Sequence, residues 1–209
     1  LPPYLSISER IWYYAFRILC GAIFFFLVFP LVVIIPLSFN AVPFFTFTKE
    51  MLAFDPAGYS LKWYEDFFTN LNWQGAVQNS VIIAIFSTLI STTLGTLAAL
   101  GLSRAQMPYR TLIMSILISP MIVPLIISAA GMFFFYSRIG IQGTHIAVIL
   151  AHAALGTPFV VITVTATLSG FDNNLIRASS SLGAPPSTTF FRVIVPLITP
   201  GVISGALFA

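Results

Sequence analysis

Charge is what this sequence has least of. Nine basic and six acidic side chains are spread over 209 residues, or 7% charged, against about 25% in soluble domains. So few charges exclude a solvated globular surface, and 58% hydrophobic residues make the chain an integral membrane protein. The single cysteine, Cys20, excludes an internal disulfide; inside an apolar run it serves as packing or lipid-facing filler. The sequence pI is about 9.3, but the basic residues form no cluster, which argues against a nucleic-acid partner. No hydrophilic stretch is long enough for a separate soluble domain.

Acids are missing where an ion-coupled carrier would need them. Between Phe67 and Phe171 there is no Asp or Glu, whereas such carriers place ionisable groups inside the bundle. His145 and His152 remain there, seven residues apart, thus about 10 Å apart along a helix and too far to share a metal. They are expected to be packing or interface residues, and no metal ligand set is assigned. Also absent are G-x-S-x-G, H-E-x-x-H and the phosphate-cradling G-x-x-x-x-G-K-[ST]. No catalytic residue is therefore assigned, and uphill transport would need its energy from elsewhere.

What the sequence does have is long apolar runs. The charge-free run from Ile18 to Thr48 far exceeds a signal peptide's apolar region of roughly 7–15 residues, so it reads as a retained helix. Further charge-free runs cover 67–103, 111–137, 139–171 and 193–209. At about 20 residues per crossing, helices are expected near 11–39, 77–103, 111–136, 144–168 and 190–209. The expected fold class is an all-α polytopic helical bundle. Its last run stops mid-pattern, and a continuation is expected. With the N-terminus in the cytoplasm, Arg10, Arg17, Arg104, Arg110, Arg177 and Arg192 lie inside and Lys49, Lys62 and Arg138 outside, as the positive-inside bias requires. The expected organisation is a cytoplasmic segment at 1–10, a first membrane helix at 11–39, an outer loop at 40–76, and a core at 77–209 with a cytoplasmic loop at about 169–189.

In the outer loop, Tyr59, Trp63, Tyr64 and Trp73 suit a membrane–water interface, with docking of an outside partner as the alternative. Ser87, Ser91, Gly95, Ala99 and Ser103 recur every fourth residue, a ridge of small side chains over which a second helix approaches closely. Gly201, Gly205 and Ala209 repeat the device. Prolines fall at mid-span: Pro120 and Pro124, with Ser119, in one helix, and Pro158, with Gly156 and Thr157, in the next. Each proline frees a carbonyl that needs a protein or water partner, so these residues are either simple kinks or the lining of a translocation path.

The segment "IRASSSLGAPPSTTFFRVIVP", residues 176–196, lies between two apolar runs. Asp172 suits an N-cap, Gly183 a C′ position, and Pro185–Pro186 forbid continuation, which predicts a helix over 173–182. Leu175, Ala178, Ser179 and Leu182 follow helical spacing and form one stripe, suited either to the membrane surface or to a partner subunit. Here the chain resembles the inner-membrane subunits of type I ABC importers, whose loop reads EAA-x3-G-x9-I-x-L-P. Arg177, Ala178 and Ser179 occupy the EAA places, Gly183 the glycine, and Val193, Val195 and Pro196 the last three. Arg177 reverses the acidic charge. "GYSLKWYEDFF", "QNSVIIAIFSTLISTTLGTLAALGLSR" and "LGTPFVVITVTATLSGFD" resemble segments of the spermidine/putrescine permease branch.

The resemblance implies a multi-pass permease subunit of a bacterial inner membrane. Its partners would be a second permease subunit, two ATPase subunits that hold ATP and Mg, and an outer solute-binding protein. Leu175, Arg177, Ala178, Ser179, Leu182 and Gly183 would couple to the ATPase, and no cofactor is expected on this chain. The solute would be a polyamine or related organic cation, or else an amino-acid-like, opine or phosphonate compound. An ion-coupled secondary transporter is the remoter alternative.

Overall fold

A computed structural model describes Tyr4 and residues 6–104, 106–172 and 174–209. The chain divides into two compact units, 1–75 and 76–209. Among the described residues there is no strand, only an isolated antiparallel bridge between Asn40 and Tyr59. By length and composition, four helices can cross a membrane, or five if one bent pair counts as a span.

In the first unit, α1 spans Ile7–Leu37 and starts earlier than hydropathy predicts, because Ser6 and Glu9 form a capping box. Ser6 Oγ accepts the Glu9 N–H at 3.3 Å, and the Glu9 carboxylate accepts the Ser6 N–H at 2.8 Å. None of its residues is buried, and mean hydropathy reaches 3.1 over its most apolar window. A helix apolar on every side belongs in lipid.

After α1 come α2 (Lys49–Leu52), a 3₁₀ turn at Pro56–Gly58, and α3 (Lys62–Thr69). Asn40, only 2% exposed, ties this segment together. Its Nδ2 donates to the carbonyls of Phe44 at 2.9 Å and Thr46 at 2.8 Å, and its Oδ1 accepts the Val42 N–H at 3.0 Å. Trp63 Nε1 donates to the Asn40 carbonyl at 2.8 Å, and Tyr59 donates to the Met51 carbonyl at 3.2 Å. Tyr64 shares a hydrogen bond with Ser38 at 2.6 Å. The loop aromatics thus use their polar tips to staple the loop while their rings stay partly exposed, as amphipathic rings at an interface do.

Next is α4 (Leu71–Leu102), whose residues 76–102 belong to the second unit. One expectation is corrected there. The single helix predicted over 111–136 is two helices, α5 (Arg110–Ile122) and α6 (Leu125–Arg138), bent by 99°. Pro124 causes the break: it forces the residue before it into extended backbone, and Val123 has ψ 133°. Pro120 does not break α5. The carbonyl it would leave free, that of Ile116, accepts the Ser119 hydroxyl at 2.8 Å.

The remaining helices are α7 (His145–Ser169), α8 (Asn174–Ser181), α9 (Pro186–Thr189) and α10 (Val195–Phe208), with a π turn at Phe190–Ile194 joining the last two. The core sits where α4, α7 and α10 meet, around Ala99, Val160, Val164 and Ile198. Ser87, Ser91, Gly95 and Ala99 are buried; Ser103, beyond the end of α4, is exposed. A Cβ on Gly95 would stand 2.6 Å from Val160 Cβ, and one on Gly201 would stand 2.2 Å from Thr167 Oγ1. A Cβ on Gly205 would lie 2.6 Å from Thr163 Oγ1. Small residues let these backbones approach closely, and dense packing rather than water exclusion holds helices together in lipid.

Candidate functional site

The loop between α7 and α10 builds the most defined exposed feature of the second unit. Asp172 Oδ1 accepts the Asn174 N–H at 2.9 Å, and the Asp172 carbonyl accepts the Leu175 N–H at 3.1 Å. The expected first residue, Asn173, lies outside the described residues. At the other end Gly183 has φ +78°, a left-handed conformation that glycine adopts without penalty. Its N–H bonds the Ser180 carbonyl at 3.0 Å and the Ala184 N–H bonds that of Ser179 at 3.1 Å, the closing pair of a Schellman cap. Pro185 and Pro186 follow and stop propagation.

The four residues of the predicted stripe do not share one environment. Ser179 turns inward, and its hydroxyl bonds that of buried Thr189 at 2.7 Å. Leu175 and Leu182 point to the outside, 43% and 87% exposed, with Ala178 and Arg177 exposed beside them. An eight-residue helix is thus pinned from behind while presenting apolar side chains outward. The leucines stay uncovered on a capped, positioned helix, open to the membrane surface or to a partner subunit.

The mid-span residues fall into two settings. Ser119, Pro120 and Pro124 lie at the α5–α6 bend. Gly156, Thr157 and Pro158 lie within α7, which continues unbroken through them. Gly156 and Pro158 are buried, and a Cβ on Gly156 would meet Ser91 Oγ and Ala209 Cα at 2.9 Å. Thr157 Oγ1 donates to the Ala153 carbonyl at 2.6 Å, which also receives Ser91 Oγ at 3.2 Å.

Three residues escaped the sequence reading. The hydroxyls of Thr92, Thr96 and Thr165 are buried with no hydrogen-bond partner among the described residues. Most α7 threonines bond their own helix one turn back, as Thr163 does to Phe159 at 3.0 Å and Thr167 to Thr163 at 2.9 Å. No sequence pattern separates Thr165 from these, since only packing decides which rotamer is open. His145 Nε2 bonds Asn79 Oδ1 at 3.0 Å, a helix-to-helix tie, while His152 is exposed. Of the outer acids, Asp55 caps the 3₁₀ turn through the Ala57 N–H at 2.9 Å, and Asp66 accepts Asn70 Nδ2 and Trp73 Nε1, both at 3.2 Å.

Residues 91–209, from the buried ridge through the loop to the last helix, match the family model for the inner membrane component of binding-protein-dependent transport systems. This chain belongs to that family. As an ABC importer permease it is a membrane subunit rather than a catalytic one, and the family implies ATPase and binding-protein partners. It is 30% identical over 184 residues to the spermidine/putrescine transport system permease protein PotC of Escherichia coli K12, covering 88% of this chain and 67% of PotC. The Haemophilus influenzae PotC is 29% identical over 187 residues, covering 90% and 70%. The osmoprotective compounds uptake permease GgtD of Synechocystis is 30% identical over 145 residues, covering 69% and 49%. In fold, the permease is similar to a bacterial ABC transporter involved in import of the acidic polysaccharide alginate. The TM-score is 0.68 at 17% identity, covering 99% of this chain and 71% of that one.

Proposed function

We infer that this permease carries a small organic solute, a polyamine or related cation, across the bacterial inner membrane, driven by ATP hydrolysed on two partner subunits. The observation that carries the coupling reading is the capped helix α8, with Leu175, Ala178 and Leu182 facing outward at the spacing of the importer loop. In this reading the N-terminus is cytoplasmic, and ATP and Mg are held by the ATPase subunits. Leu175, Arg177, Ala178 and Leu182 contact the ATPase, while Ser179 and Gly183 hold the helix in place. Closure of the ATPase dimer pushes α8, whose base is tied through Thr189 to the helix leading into α10. That movement reaches α7 through the close contacts at Gly201 and Gly205. A second permease subunit completes the path, with Ser119, Pro120 and Pro124 at the bend of one helix and Gly156, Thr157 and Pro158 in the next. A solute-binding protein delivers cargo outside.

The polyamine reading rests on the two PotC relatives. An amino-acid-like, opine or phosphonate solute is the second reading, favoured by the absence of acids between Phe67 and Phe171 and by the match to a permease for another cargo class, GgtD. Proteoliposomes containing the assembled transporter and its binding protein separate these. Uptake of labelled spermidine or putrescine is expected to require ATP, to survive a protonophore, and to be blocked by the other polyamine. Uptake that ignores ATP and follows a proton gradient overturns the mechanism; ATP-driven uptake of glycine betaine but not spermidine overturns the substrate.

A further inference from the structure

The second unit contains a hollow beside the loop between α7 and α10, and of its lining the transport reading uses only Arg177. It measures about 790 Å³ and is walled by apolar side chains, among them Leu97, Leu100, Leu168 and Ile194. Two guanidinium-bearing residues, Arg104 and Arg177, line it as well. Neither guanidinium has an acid or hydrogen-bond partner among the described residues. Asp172, the one carboxylate in the adjoining loop, instead caps Asn174. Two cations at an apolar hollow call for a ligand that is anionic at one end and hydrocarbon at the other.

The approach to the hollow has the same character. Leu94, Leu97, Gly101 and Arg104 follow one another at three- and four-residue intervals, and Leu94 and Leu97 are more than half exposed. This stripe runs along α4, a helix long and apolar enough to cross the membrane, toward Arg104 two residues past its end. A protein carboxylate would satisfy the arginines but bring polar backbone against the leucines. An anionic phospholipid satisfies both, its phosphate on the guanidiniums and its chains along the stripe.

We propose that this hollow is a binding site for an anionic phospholipid, with Arg104 and Arg177 holding the headgroup phosphate and the Leu94–Leu97 face carrying an acyl chain. The site needs only a membrane and two cations, so it stands whether or not the solute or the orientation proposed above is correct. Arginine bound bidentately to phosphate is far more directional than lysine, so the lysine replacements bind more weakly than wild type despite equal charge.

The assembled transporter is reconstituted in nanodiscs of phosphatidylcholine containing a minor fraction of phosphatidylglycerol, and retained lipid is counted by native mass spectrometry. Retention of phosphatidylglycerol over phosphatidylcholine is expected. The double variant Arg104→Gln/Arg177→Gln weakens it about thirtyfold, taking two arginines at the usual strength for a basic residue at an anionic surface. Arg110→Gln, which removes one charge outside the hollow, leaves it unchanged. Equal retention in wild type and the double variant overturns the proposal. So does displacement of the lipid by millimolar inorganic phosphate, which would make this a site for a free anion. Lipid retention left intact in the double variant overturns it whether or not the ATPase subunits, which Arg177 also meets in the coupling reading, stay bound.

Discussion

Replacing Gly183 separates the work of α8 from the stability of the rest of the permease. At φ +78° a residue with a Cβ pays about 1–2 kcal/mol, and a β-branched one pays most. Forcing that backbone to relax also strains the two closing bonds, Gly183 to Ser180 and Ala184 to Ser179, each worth about 1 kcal/mol net. Gly183→Val therefore costs about 2–4 kcal/mol, a 30- to 800-fold shift toward a frayed α8 end. The packed seam of α4, α7 and α10 is untouched, because no atom lies within 4 Å of a Cβ built on Gly183. Gly183→Asn fits the same open space and tolerates the left-handed region, so it serves as the conservative partner. The assay is binding-protein-stimulated ATP hydrolysis and solute uptake in the same proteoliposomes. Valine is expected to lower solute moved per ATP at least tenfold while the complex stays assembled, and asparagine to restore most of it. A wild-type ratio in Gly183→Val would refute the reasoning, because the end of the helix would then transmit nothing.

Other substitutions probe the framework. Gly201→Ala puts a methyl 2.2 Å from Thr167 Oγ1 and is expected to destabilise by about 1–3 kcal/mol in detergent thermal unfolding. Gly131→Ala, with nothing within 4 Å, is expected to stabilise by about 0.5–1 kcal/mol in the same assay. Asn40→Leu strands the Phe44 and Thr46 carbonyls and the Val42 N–H. It should cost about 3 kcal/mol, seen as faster proteolysis and amide exchange over residues 40–48 while the second unit keeps its protection. Ser119→Ala removes the partner of the Ile116 carbonyl and should cost about 1 kcal/mol. Thr165→Val replaces a buried, unbonded hydroxyl with a methyl of similar size and should raise thermal stability by about 1 kcal/mol.

The features legible in the sequence are those set by local chemistry. The span pattern follows from where charge is absent, and the glycine–proline stop after α8 from backbone sterics. The buried four-residue repeat of α4 follows from helical period alone. Legibility failed where a choice between equals depends on packing. Pro120 and Pro124 look alike in the sequence, yet only one breaks the chain, because Ser119 satisfies the carbonyl freed by the other. At Pro158 the sequence leaves both a kink and a path lining open, and α7 stays continuous, as the helix expected over 144–168 requires, with its neighbourhood buried. Ser179 fits the outward stripe by period and turns inward because Thr189 offers a hydroxyl at 2.7 Å. Asn40 reads as one more polar loop residue; its burial depends on carbonyls four and six residues away curling back onto it.

The proposed contact between α8 and the ATPase is tested most directly by cross-linking. With Cys20, the single cysteine, replaced by serine, Ala178→Cys is paired with single cysteines placed on the ATPase subunit of the assembled transporter. Oxidation is expected to join the two chains, and in intact cells a membrane-impermeant maleimide should leave Ala178→Cys unlabelled. Labelling from outside, with no cross-link at any ATPase position, would contradict the account.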